Sequence, residues 1–300
     1  MTLVLLRHAS VACRSHACGA SQQRQLRLMT SASSALAPVS FTALDGGGQL
    51  AKITLNNPRA NLFDHASLQA LGTAMDAVET ASNVRGLVLQ SAVGGFFSAG
   101  FSLPALHQVD RAGFERLWVV GKHVFRRIYA LPVPSVAAID GHALGLGCVM
   151  AMACQRRFMV AAEKPALIGL NEVAVGMPVP EWLAARFRSL TSARDAELIL
   201  PRGSSLKPAQ AHAIGLVDSL FASRDEMDSA IQADFSSGSR VSAYAQQETI
   251  RGLRREFLDY FDACFDKDTE QFWQAISSAE TQAAIGNALA QLKAKSRKSN

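Results

Sequence analysis

The sequence predicts an α/β fold with largely parallel strands and a helix-rich C-terminal segment, on three observations. Strand-like and helix-like patterns alternate from about residue 41 to about residue 225 of the 300 residues. Two of the strand-like runs lead directly into glycine-rich loops. Beyond Glu181 no convincing strand occurs except "GLVDSLF", and helical spacing dominates.

The elements follow in order. "VSFTALDGGGQLAKITLNNP" holds two apolar runs separated by Asp45 and three glycines, a hairpin with a flexible turn. Leu68, Leu71, Met75 and Val78 recur at helical spacing and mark a first amphipathic helix, ahead of the strand-like "RGLVLQSA". A second helix carries Phe114, Leu117, Trp118, Phe125 and Ile128 on one side and stops near Leu131-Pro132. "VPSVAAIDGHALGLG" then gives a short strand and a glycine loop. An Ala/Met/Cys-rich helix of buried character follows, and then a strand around "RFMVAAE". The expected organisation is a leader over 1–40, a core over 41–225 and a helical segment over 226–300.

About half the residues are apolar, enough for a large core, and no apolar run reaches the roughly 18 to 20 residues of a membrane span. The net charge of +5 is concentrated at the start: the first 44 residues hold four arginines and no Asp, Glu or Lys. The remainder carries 26 basic and 25 acidic residues, a net +1, which argues against nucleic acid as a partner. Arg7, Arg14, Arg24 and Arg27, spread among Ser, Ala and Leu, have the composition of a mitochondrial transit peptide cleaved after Arg27, so the expected location is the mitochondrial matrix. The C-terminal "KSN" does not match the peroxisomal address. Cys13, His16 and Cys18 fall in this leader and are read as incidental. Cys148, Cys154 and Cys264 have no metal-like spacing and are expected to be free thiols. The basic tail with Lys293, Lys295, Arg297 and Lys298 reads as a solvated helix end, with contact to ligand phosphates as the alternative.

One carboxylate is out of place. In "ALIGLNEVAVGMPVP" Glu172 stands in a run that is apolar apart from Asn171, and a buried acid without a partner is costly. Two readings stand side by side: a first-turn acid of a short helix or a loop residue pointing at water, or a general base with a raised pKa in an apolar cleft. Two glycine loops bear on the choice, "GGFFSAGFSL" (94–103) and "GHALGLGC" (141–148). Glycine lets backbone N–H groups approach a ligand closely, and two of them converging on one oxygen form an oxyanion hole. The second loop lacks the GxGxxG spacing of a dinucleotide site. His107, His123 and His142 are irregularly spaced and are read as surface or loop histidines.

"FFSAGFSL", "IDGHALGLGC", "IGLNEVAVGM" and "AELILPRGSSLKPAQAHAIGLVDSLF" resemble, in order and rough spacing, the crotonase (enoyl-CoA hydratase/isomerase) superfamily, from about Phe41 to the C-terminal helices. The resemblance implies a spiral core of repeated strand-strand-helix units with a helical C-terminal region, assembled as a homotrimer or as a pair of trimers. It implies an acyl-CoA thioester substrate, no cofactor beyond the coenzyme A of that substrate, and no metal. It places the N–H groups of Phe101 and Leu146 on the thioester oxygen and makes Glu172 the acid/base. Ser98, Ala99, Gly100, Ser102, Gly145 and Asn171 are expected along the substrate. Hydratases of the superfamily use a second glutamate, where this chain has Val149. The pattern is thus most similar to the Δ3,Δ2-enoyl-CoA isomerases of the superfamily, which move the double bond of 3-enoyl-CoA to the 2-trans position. Ser102 stands where an Asp is usual, which bears on how the loop is braced. The alternatives are another crotonase-type enzyme, hydratase or thioesterase, or a non-catalytic acyl-CoA- or RNA-binding member of the fold.

Overall fold

The hairpin expected at the start is formed by β1 (Val39–Ala43) and β2 (Gln49–Leu55), which pair antiparallel. This computed structural model describes residues 35–162 and 166–298; the expected leader, with its four arginines, lies outside the described residues. Helix α1 (His65–Thr80) buries Leu68, Leu71, Met75 and Val78, the four positions whose spacing predicts it. A capping box starts it: the Ser67 N–H donates to Asp64 Oδ1 at 2.9 Å and the Asp64 N–H to Ser67 Oγ at 2.8 Å. Three turns of a repeating unit follow. In the first, β3 (Val84–Ser91) leads to β4 (Phe96–Ser98), α2 (Leu103–Leu106) and α3 (Arg111–Ala130). In the second, β5 (Ser135–Ile139) leads to β6 (His142–Leu144) and α4 (Leu146–Ala153). In the third, β7 (Arg156–Val160) leads to β8 (Ile168–Gly169), a 3₁₀ turn at Glu172–Val175, and α5 (Glu181–Leu190).

The longer strands form one sheet in the order β1-β2-β3-β5-β7-β9, parallel from β2 onward, and the short strands form a second, parallel sheet in the order β4-β6-β8. The second sheet corrects the sequence reading, in which both glycine-rich stretches are loops throughout. Each carries a three-residue strand, and stacking these strands side by side brings the two glycine turns together. After β8 come α6 (Ala193–Ile199), a 3₁₀ turn at Leu200–Arg202, α7 (Pro208–Ala213), β9 (Ser219–Phe221), α8 (Arg224–Gly238), α9 (Ala243–Ala263), α10 (Phe265–Ser277) and α11 (Ala279–Lys298).

The large sheet is covered on both faces, and its side chains alternate between two cores with the period of a strand. Leu87, Leu89, Ala137 and Ile139 join the cluster built with α1, α3 and α4. Val88, Val136 and Ala138 join the opposite cluster, where α8 contributes Met227, Ile231 and Phe235. Helix α4 is buried at all eight positions, as its uniformly apolar sequence predicts. Among the described residues no helix is long and apolar enough to cross a membrane.

Candidate active site

The first glycine turn is braced from behind. Ser98 is fully buried; its Oγ donates to the Asn61 carbonyl at 2.7 Å and accepts from the Gly100 N–H at 3.1 Å. Asn61, also buried and in the left-handed region, donates to Ser91 Oγ at 2.7 Å and to the Phe97 carbonyl at 3.0 Å. The Phe63 N–H donates to the Gly100 carbonyl and the Ser102 N–H to the Phe63 carbonyl, both at 2.8 Å. Gly100 has φ +88°, and a Cβ there would stand 2.8 Å from the Leu144 oxygen and 3.2 Å from the Leu146 nitrogen. The turn therefore needs glycine on both conformational and steric grounds.

The second turn ends at Gly145 and opens α4, whose first residue is Leu146. A Cβ on Gly147 would lie 2.5 Å from the Ser98 carbonyl oxygen, so only glycine lets α4 start this close to the first turn. Phe101 and Leu146 line one cleft with Gly100, Gly145 and Asn171. Among the described residues neither the Phe101 N–H nor the Leu146 N–H donates to a turn or loop carbonyl. Leu146 lies at a helix N-terminus, where backbone N–H groups lack intrahelical partners and the dipole favours negative charge.

Glu172 begins the 3₁₀ turn that follows β8 and is nonetheless buried, at 9 % exposure. It is a first-turn acid, as one reading has it, but it does not point at water: it faces an apolar cleft. A Cβ on Gly145 would stand 3.7 Å from Glu172 Oε1 and 3.4 Å from Asn171 Oδ1, so the carboxylate is beside the second glycine turn. Its Oε2 has no hydrogen-bond partner among the described residues. Burial accordingly pushes the carboxyl up from 4.5 to about 7. Glu172 lines both the outer cleft, about 460 Å³, and an inner apolar pocket of about 20 Å³ that also contains Val149 and no second carboxylate. A base poised near neutrality beside two free N–H donors is an arrangement for moving a proton next to a polarised carbonyl.

The structure brings Glu172, Asn171, Phe101, Leu146, Ala99, Gly100 and Gly145 to the same cleft. Two expected substrate contacts need correction. Ser98 points inward and holds the turn, because Asn61 and Gly100 take both of its bonds, and it does not line the cleft. Ser102 does not line it either: it precedes α2, makes no side-chain cap, and is tied to Phe63 by its backbone. Bracing at this position is thus done by backbone and does not need a carboxylate side chain. His107, His123 and His142 all lie outside the cleft lining; His142 Nδ1 accepts from the Leu167 N–H at 3.0 Å. Cys148 and Cys154 are free and buried. Sequence reading missed Asn61, whose only signal is an Asn inside a turn-rich stretch. It also missed Lys122, Met177 and Trp182 of the inner wall, which look like ordinary core residues in sequence.

Comparison with known proteins identifies the family. Residues 45–247 match the family model described as enoyl-CoA hydratase/isomerase. The chain belongs to the enoyl-CoA hydratase/isomerase family. It is 27% identical to the mitochondrial enoyl-CoA delta isomerase 1 of Rattus norvegicus, over 84% of this chain and 86% of that protein. It is 26% identical to a short-chain-enoyl-CoA hydratase of Clostridium acetobutylicum, over 81% of this chain and 92% of that protein. The crystal structure of human mitochondrial Δ3-Δ2-enoyl-CoA isomerase superposes with a TM-score of 0.79 at 27% identity, covering 86% of this chain and 98% of that one. The protein is an enzyme of the enoyl-CoA hydratase/isomerase family with the crotonase fold, similar in sequence to enoyl-CoA delta isomerases.

Proposed function

We propose that this enzyme is a Δ3,Δ2-enoyl-CoA isomerase acting in the oxidation of unsaturated fatty acids. The observation that carries the reading is the single carboxylate of the cleft: Glu172 lines it, and Val149 stands where a hydratase would place its second acid. In the proposed reaction Glu172 takes a proton from C2 of a 3-enoyl-CoA, leaving a planar dienolate. The same proton is returned at C4, and the double bond moves from C3–C4 to C2–C3 with no net gain or loss of atoms or electrons. One carboxyl serves both steps because C2 and C4 lie on one side of the dienolate. Charge collecting on the thioester oxygen is held by the Phe101 and Leu146 N–H groups acting as an oxyanion hole. The apolar wall keeps water out, which suppresses hydration and keeps the carboxyl near neutrality.

The reaction asks for no cofactor beyond the coenzyme A of the substrate. A mitochondrial matrix location is supported by the Arg-rich, acid-free first 44 residues and by relatives named as mitochondrial enzymes. A homotrimer is part of the same reading, and sedimentation at equilibrium tests it. The deciding experiment is conversion of 3-hexenoyl-CoA to 2-trans-hexenoyl-CoA by the wild type and by Glu172→Gln. Isomerisation lost in the variant with coenzyme A thioester binding retained supports the assignment. Product carrying solvent oxygen instead would identify a hydratase.

A further inference from the structure

Beyond Glu172 the cleft continues into the inner pocket, whose volume is only about 20 Å³ against about 460 Å³ for the outer part. A cavity needs about 10 to 15 Å³ on this measure to hold one water-sized group, so the inner pocket has room for about one or two carbons past the reacting atoms. Its wall includes Trp118 and Phe272, stacked with ring centroids 3.9 Å apart, and Lys122, Trp182 and Leu183.

This wall is tied down by a buried ion pair. Lys122 Nζ donates to Asp268 Oδ2 at 2.7 Å, to the Phe265 carbonyl at 2.7 Å and to Thr269 Oγ1 at 3.2 Å, which uses all three of its protons. The same Asp268 oxygen accepts from Trp118 Nε1 at 3.3 Å. One carboxylate of α10 thus holds two wall residues of α3, and Lys122 and Asp268 are both buried. The ammonium faces α10 and is fully engaged, so an entering chain end meets the methylene stem of Lys122 and aromatic rings.

We infer that the Lys122–Asp268 pair sets the depth of the acyl pocket and makes the enzyme selective for short acyl chains, of about six carbons. This rests on the isomerase reading for the reaction, and on the pocket walls alone for the chain length. Long chains are disfavoured because a stacked aromatic pair and a doubly bonded carboxylate would have to separate to admit them.

The test compares kcat/KM for 3-hexenoyl-CoA and 3-dodecenoyl-CoA with the full chain. The expected wild-type ratio favours hexenoyl by at least roughly tenfold. Phe272→Ala deepens the pocket and is expected to lower that ratio by roughly tenfold. Lys122→Ala/Asp268→Asn removes the tie without stranding a charge and is expected to do the same. The ratio is the readout because a general loss of structure lowers both rates together. A wild type indifferent to length, or preferring dodecenoyl, overturns the inference, as does a ratio unchanged in both variants. If neither thioester is isomerised, the isomerase reading fails on its own. Calorimetric affinities for hexanoyl-CoA and dodecanoyl-CoA then decide pocket depth: tighter hexanoyl binding supports it, and tighter dodecanoyl binding overturns it.

Discussion

In the proposed isomerase Glu172 is the single acid/base, and its titration is set by its surroundings. With its carboxyl pushed up to about 7 by burial, the base form is available only above that value, so kcat/KM should rise with pH and level off beyond about 7. A pH-rate profile checks this. Glu172→Gln should lower the rate by roughly 10² to 10⁴ and abolish the rising limb. The same perturbation has a stability consequence of definite sign. The folded state binds this proton more tightly than the unfolded chain, so the group favours folding below about pH 4.5. That contribution, roughly 3 kcal/mol in size, is lost as pH rises through about 7. Thermal unfolding across pH 4.5 to 8 should therefore show Glu172→Gln gaining on the wild type as pH rises. A constant difference between the two would contradict the buried, unpartnered carboxyl.

At the scale of elements, the two glycine turns depend on short strands and close packing. Gly147→Ala would place a methyl 2.5 Å from the Ser98 oxygen and force the start of α4 away. Loss of one N–H donor at that point is expected to cost roughly 10² to 10³ in kcat, with the pH limb near 7 unchanged because Glu172 keeps its setting. Asn61→Ala removes the bonds to Ser91, Phe97 and Asn57 that hold the first turn. A destabilisation of roughly 2 to 4 kcal/mol is expected, read from the denaturant midpoint. The hairpin, α1, β3, α3, β5, α4 and β7 are legible in the sequence because each has enough residues for its period to show. Strands β4, β6 and β8 have two or three residues each, too few to display a period of two, and their pairing partners lie on other turns of the spiral. The inward turn of Ser98 was illegible for the same reason, since its partner Asn61 lies 37 positions away.

For the molecule as a whole, contacts between the core and the C-terminal helices close one wall of the inner pocket, where Phe272 stands beside Trp118 and Lys122. Asp268→Ala would leave Lys122 charged and buried and Trp118 Nε1 without its acceptor. A loss of about 3 to 5 kcal/mol is expected in chemical denaturation. Replacing both members, as Lys122→Met/Asp268→Leu, should recover most of it, because the desolvation of an unpaired charge is the main cost.

The sequence by itself determined the class of fold, a lone carboxylate, Glu172, in an apolar run, and the glycines that permit two tight turns. Those are properties of residue type and spacing along the chain, and they survive without coordinates. Tertiary structure decided how deeply Glu172 is buried, that Ser98 and Ser102 do not line the cleft, and which groups wall the inner pocket. Each of these depends on groups far apart in the chain, Trp118 and Asp268 being 150 positions apart, and burial, desolvation and cavity depth exist only once such groups are packed together.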